Sequence, residues 1–226
     1  SGLTLISVDF AANTGRIIVP ELLDSLASDD PRAIRSRREL RWINALMGNE
    51  RWILRQLGRF PTWCDKGILE WGAGEGFLCE KIMRAFPRAQ VTGLDFMPRP
   101  DHLSQRISWI SGDLLQWQPD IFPDVIVANL FLHHLTEEQL SVCMRLLHHA
   151  SVLIVSEPLR KKNSHFWGRL LHPLLEDVTR HDMHVSIDAG FVRGDLSRVW
   201  AEISSGWIIE EWEQWPGAYR SVWRRK

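Results

Sequence analysis

Glu70-Trp71-Gly72-Ala73-Gly74-Glu75-Gly76 places three glycines at alternate positions behind a carboxylate. Glycine has no Cβ and tolerates positive φ, so such a turn lets a ligand lie against bare backbone. The dinucleotide fingerprint G-x-G-x-x-G would want a glycine where Phe77 stands, so the pattern here is E-x-G-x-G-x-G instead. Asp95 falls nineteen positions after Gly76, at the end of a second apolar run. A carboxylate at that place can accept from both hydroxyls of a ribose, and Phe96 beside it can flank a base. The bland alternative for Asp95 is a loop aspartate. Histidines supply the second kind of chemistry, because their ordinary pKa near neutrality suits a general base. His133 and His134 are adjacent and can point different ways, with His134 the better candidate for a pocket. His181 can take a hydroxyl proton with Asp182 or Arg180 orienting it, and His184 lies three residues on. The alternative there is a salt-bridged turn with satisfied histidines. A metal held by His181, Asp182 and His184 lacks a further distant ligand, so no metal site is expected.

These residues need elements to position them. Gly67 to Trp71 reads as a strand and Glu75 to Phe86 as a helix stopped by Pro87. Further strands are expected at 90–95, 106–110, 124–128 and 152–156, alternating with helical stretches, the mark of a parallel sheet. Thr136-Glu137-Glu138-Gln139 is a capping box opening a helix to His149. Residues 158–190 break the rhythm and read as a partly helical insert. A helix from Asp195 to Ile203 precedes two strands, 207–215 and 218–225, joined by Pro216-Gly217. Upstream, Pro31 begins a basic amphipathic helix carrying Arg35, Arg37, Arg38 and Arg41. Gly48-Asn49 interrupts it, and Asn49 can cap a second helix, 50–57. Leu3–Ile6 and Ile17–Val19 can be short extended pieces or an arm reaching a partner, which leaves a homodimer open.

The acidic residue followed by G-x-G-x-G resembles the first motif of the class I S-adenosylmethionine (SAM) dependent methyltransferases. The resemblance runs from about Arg35 to Arg225. It implies an α/β Rossmann-like sheet of seven strands with the last strand antiparallel beside strand five, N-terminal helices, and an inserted segment after strand five. It implies residues 1–60 as arm and lid helices and 61–226 as the SAM-binding domain, with the insert forming a substrate lid. The cofactor would be SAM, leaving S-adenosylhomocysteine. Glu70, Gly72, Ala73, Gly74 and Gly76 would hold it, with Asp95 and Phe96. Asp113 would accept from the adenine amino group, with Leu114 beside the ring; Asp113 is alternatively a helix cap. Asn129 and Leu130, in the strand-four loop, would meet the methionine part. Asn129-Leu130-Phe131-Leu132-His133-His134-Leu135 has neither the [DNS]-P-P-[YFW] run of adenine or glutamine amine methylation nor a Pro-Cys pair. Leu40 to Asn49, the Thr179-Arg180-His181-Asp182 run and Gly190-Phe191 are similar to a bacterial small-molecule subgroup associated with aromatic polyketide pathways. There Trp42, His133, Arg180 and His184 would face the substrate. Trp42 and Trp167 can wall an aromatic site, although most of the twelve tryptophans should fill the core.

A net charge of −1 gives no global field for nucleic acid or an anionic membrane. Three cysteines without a C-x-x-C suggest neither a disulfide framework nor a cysteine zinc site, and a reducing, cytoplasmic setting fits. We therefore expect a methyltransferase for a small, aromatic or phenolic acceptor, O-methylation before C-methylation. The rivals are an RNA or protein methyltransferase, for which the arginine run speaks, and a non-catalytic scaffold of the same fold.

Overall fold

The computed structural model describes residues 15–27, 29–118 and 122–226. The Leu3–Ile6 piece lies outside them. Seven strands form one sheet: β1 (Ile68–Trp71), β2 (Val91–Asp95), β3 (Ile107–Ser111), β4 (Val125–Asn129), β5 (Val152–Pro158), β6 (Trp207–Gln214) and β7 (Ala218–Arg225). Their order is β3-β2-β1-β4-β5-β7-β6. The first five are parallel, and β7 runs antiparallel to both β5 and β6. This is the expected topology, including the antiparallel strand beside β5.

Both faces are covered, so the central strands read as continuous apolar runs rather than alternating ones. Along β5, Val152 and Ile154 join one core and Leu153 and Val155 the other. Helices α1 (Pro31–Met47), α2 (Asn49–Leu57), α3 (Pro61–Cys64) and α4 (Phe77–Ala85) precede β2. Helix α5 (Glu137–Leu147) opens on the expected capping box, with Gln139 N–H donating to Thr136 Oγ1 at 3.2 Å and Thr136 N–H to Gln139 Oε1 at 2.8 Å. The segment after β5 folds as α6 (Lys162–Leu171) and α7 (Asp177–Ala189). Trp71, Trp200 and Trp223 are fully buried, so tryptophan is largely core material here.

Three local expectations are corrected. Gly48, left-handed at φ 68°, occupies the cap between α1 and α2; Asn49 is the first helical residue and its Oδ1 accepts from Arg220. The expected helix at 195–203 breaks at Trp200 into α8 (Asp195–Val199) and α9 (Ala201–Ser204). Ile17–Val19 belongs to no strand; its backbone meets α7 through Ile17 N–H on Asp188 O.

The strand order reverses between β1 and β4, and ligands of open α/β sheets settle in the crevice beyond the carboxyl ends at such a switch point.

Candidate active site

Two cavities meet at that switch point, of about 550 and 440 Å³. Gly72 and His134 line both, which makes them contiguous. The smaller one gathers Asp95 and Phe96 from the end of β2 with Asp113 and Leu114 from the end of β3. Asp95 Oδ2 accepts from Gly74 N–H at 2.7 Å and Oδ1 from Met97 N–H at 2.9 Å. The carboxylate is thus fixed toward the glycine turn while each oxygen keeps a second lone pair for a ligand. Asp113 caps a turn rather than a helix, through Leu115 N–H at 2.8 Å. Phe96 is 74% exposed, a ring free to cover a ligand.

The larger cavity reaches Glu70, Ala73, Gly74, Asn129 and Leu130 on its sheet side. All three motif glycines have positive φ, between 54° and 74°. A Cβ on Gly72 would drive into the Phe131 ring, and one on Gly74 would project into open space. Gly76 lines neither cavity; it caps α4 against Leu103. Leu130 is held at φ 54°, a left-handed conformation that costs a branched apolar residue about 1–3 kcal/mol and is kept by the Leu130 N–H bond to Ser156 O. The neighbouring Asn129 Oδ1 is buried without a partner. Glu70 is 3% exposed, and burial pushes its carboxyl up to about 8.

Opposite the sheet, α1, α6, α7 and the β6–β7 turn close the larger cavity, with Ile43, Trp167, Leu171, Met183 and Trp215 forming its apolar wall. Trp167 and Trp215 pack edge to face at 5.5 Å. Trp42 is 44% exposed and lines neither cavity, so the aromatic wall comes from Trp167 and Trp215 instead.

The two adjacent histidines do not point apart: their rings lie 4.1 Å apart, tilted by 35°, and both line the larger cavity. They sit on a 3-10 turn, Leu132–His134. His133 is buried, with Nδ1 at 2.7 Å from Glu157 Oε2 and Nε2 at 3.7 Å from Glu21 Oε1. Burial works to lower its pKa, yet the two carboxylates outweigh it and raise it to about 9. His134 opens into the cavities; enclosure by their walls and the neighbouring His133 pull it down to about 4. Glu157 also accepts from Phe131 N–H at 3.0 Å and Leu132 N–H at 2.8 Å, so one buried carboxylate shapes the whole β4 loop. From behind, Arg16 donates to the carbonyls of Leu132, His133, Leu135 and Ala189.

The other candidates stand elsewhere. Asp182 is buried, and its oxygens accept from Leu22 and Leu23 N–H at 2.7 and 2.9 Å and meet His181 Nδ1 at 3.0 Å. It anchors the N-terminal arm and is not exposed to either cavity. His181 is half exposed outside both cavities, which removes the reason for reading it as a base. Arg180 is spent on His172 O and Asp177, and His184 on His165 and His172. Neither lines a cavity. Glu157, Glu21 and Arg16 were missed by sequence reasoning. Each is a single charged residue outside any motif, and only a buried position opposite His133 or its loop distinguishes it.

Strand order, hairpin and switch-point cavities define the class I SAM-dependent methyltransferase fold. Residues 68–151 match the family model described as a methyltransferase domain. Malonyl-[acyl-carrier protein] O-methyltransferase of Bacillus cytotoxicus is 31% identical over 81 residues, covering 33% of this chain and 28% of that protein. The corresponding protein of Anoxybacillus flavithermus is 26% identical over 125 residues, covering 53% and 42%. The chain thus spans less than half the length of these curated relatives. Among solved structures, the plantazolicin methyltransferase BpumL with a triazolic desmethylPZN analog and S-adenosylhomocysteine superposes with a TM-score of 0.68 at 15% identity, over 87% of this chain and 92% of that one. The pyocyanin biosynthetic protein PhzM gives 0.60 at 20% identity, over 90% and 62%. Residues 68–151 thus carry a methyltransferase-domain match, and the seven-stranded fold is the one seen in these solved methyltransferase structures.

Proposed function

We propose that this chain transfers the methyl group of SAM to a small aromatic acceptor, with a phenolic oxygen as the methylated atom. The observation that carries the reading is the pair of cavities joined at Gly72 and His134. The smaller has the donors and acceptors for an adenosine; the larger joins the glycine turn to an apolar wall built on two tryptophans. The residues fit the cofactor: Gly74 leaves room where a side chain would intrude, and Asn129, whose Oδ1 has no partner, lines the larger cavity. In this reading Asp95 takes the ribose hydroxyls, Asp113 and Leu114 the adenine edge, and Glu70, Asn129 and Leu130 the amino-acid end. The arm and helices of residues 1–60 and the insert at 158–190 act as lid over the domain 61–226.

Bound SAM supplies an already activated sulfonium methyl. The protein must align the acceptor in line with it and exclude water, and alignment alone is worth about 7–11 kcal/mol of barrier. Trp167, Trp215 and Met183 hold the ring. His134 Nδ1 or Nε2, neutral at pH 7, accepts the phenol proton as the oxygen–carbon bond forms and the sulfur–carbon bond breaks. Oxygen as the acceptor atom agrees with the names of the curated relatives. Of the arginine run that speaks for an RNA substrate, Arg35 is paired with Glu176 and Arg41 with Glu75.

Calorimetric titration with SAM and S-adenosylhomocysteine, NAD as control, tests the cofactor half. Transfer of labelled methyl to a panel of phenols, carboxylic acids and amines tests the acceptor half. Micromolar adenosyl-sulfur binding with phenol turnover is the expected result. Absence of SAM binding, or turnover confined to amines, overturns it.

A further inference from the structure

Glu21, His133 and His134 present ligand atoms that all lie within 4.8 Å of one another on the wall of the larger cavity. We propose that this corner is a divalent transition-metal site of the zinc class, with a coordination position left open toward the acceptor. Its role toward the acceptor rests on the methyltransferase reading above.

Four features argue for it. His133 Nε2 and Glu21 Oε1 are 3.7 Å apart, too far for a hydrogen bond. Two ligands held about 2.0–2.2 Å from one tetrahedral ion stand roughly 3.3–3.6 Å apart, so a small closure brings both onto a cation. His133 Nδ1 is engaged by Glu157 at 2.7 Å, which directs Nε2 toward Glu21, where a cation would take the place of the Nε2 proton. A carboxylate behind a histidine ligand is the usual outer support of a zinc site. Glu21 is itself supported: Ser186 Oγ donates to it, and Asp182 pins the arm that carries it through Leu22 and Leu23 N–H. Finally, the donor set of two imidazoles and one carboxylate, without thiolate, is that of catalytic rather than structural zinc, where a fourth position takes water or substrate.

His134 opens into both cavities, so that fourth position faces the place assigned to the phenol. With the metal bound, His134 would serve as a ligand in place of acting as the base: a phenol at the open position would give its proton to solvent water, and the metal would hold the phenolate that is methylated. The rival occupant of the corner is a proton, with His133 as an imidazolium between two carboxylates.

The test uses the whole chain, stripped with a chelator and titrated with Co2+ alone. We expect one Co2+ per chain with ligand-field absorption of a four- or five-coordinate N/O site, displaced by Zn2+. Glu21→Gln should weaken Co2+ binding at least tenfold, and Glu157→Gln, acting through His133, about 10–100-fold. S-adenosylhomocysteine binding by each variant shows that it is folded. Wild type that binds S-adenosylhomocysteine but no stoichiometric Co2+, or a Glu21→Gln variant that binds Co2+ as well as wild type does, overturns the metal site while leaving the methyltransferase reading intact. Wild type that takes one Co2+ but no S-adenosylhomocysteine overturns that reading instead.

Discussion

Glu70→Gln separates the cost of a buried carboxyl from its use. Burial raises Glu70 to about 8 from an ordinary 4.5, opposed by the Cys79 thiol, which donates to Oε2 at 3.0 Å, and reinforced by the charges of Glu50 and Asp95. The folded state therefore holds a proton that the unfolded chain has lost between those two values. Stability from this group is full below pH 4.5 and drains away as pH rises toward 8, by about 1.4 kcal/mol per unit. Integrated from pH 5 to pH 8, the loss is roughly 3–4 kcal/mol. Glutamine keeps the shape and removes the titration. Urea unfolding of both proteins at pH 5, 6, 7 and 8 should give a stability difference that grows by that amount in favour of the variant. The cationic end of SAM should reverse the preference at this site. Ionising a group that is mostly protonated at pH 7 releases about 0.9 proton on binding. Calorimetry in buffers of different ionisation heat reads that release, which should vanish in Glu70→Gln together with some SAM affinity. Parallel stability curves for the two proteins, or equal proton release, would refute the reasoning.

Gly72→Ala should cost roughly 2–4 kcal/mol in unfolding experiments, since its Cβ meets the Phe131 ring and φ is 65°. Trp167→Ala should raise the acceptor KM by about tenfold or more through lost apolar contact, and leave SAM affinity within about twofold. Arg16→Met should destabilise by roughly 2–4 kcal/mol, because it strands several buried carbonyls of the β4 loop at once; chemical denaturation measures it.

What was legible in the sequence is what repeats or clusters locally. The glycine turn, the apolar runs of the strands, the capping box at Thr136 and the Pro216-Gly217 hairpin each announce themselves within a few residues, while the antiparallel place of the last strand beside strand five comes from the family resemblance. The site is divided along the same line. Asp95 and Asp113 end strands, so their position is set by elements that periodicity reveals. His181 and Asp182 looked chemical because titratable groups crowd there, but α7 places the His181 ring toward solvent and uses Asp182 to hold backbone from the arm. Trp42 and Trp167 have the same side chain; only the packing of α6 against the β6–β7 turn makes the second a cavity wall.

The residues that the sequence hid share one property: each acts across a long separation. Glu157 reaches His133 over 24 positions, Arg16 reaches the same loop over 116 to 119, and Glu21 faces the histidine from an arm anchored 160 positions away on Asp182. Charged groups are rarely buried unless paired, so three of them converging on one 3-10 turn mark where the fold has spent stability on geometry. That convergence, and not the density of histidines along the chain, is what singles out His133 and His134 as the chemical corner of the cavity. It also explains why the N-terminal arm matters: without Glu21 the histidine pair would be a loop ornament, and with it the pair becomes a three-ligand set facing the acceptor.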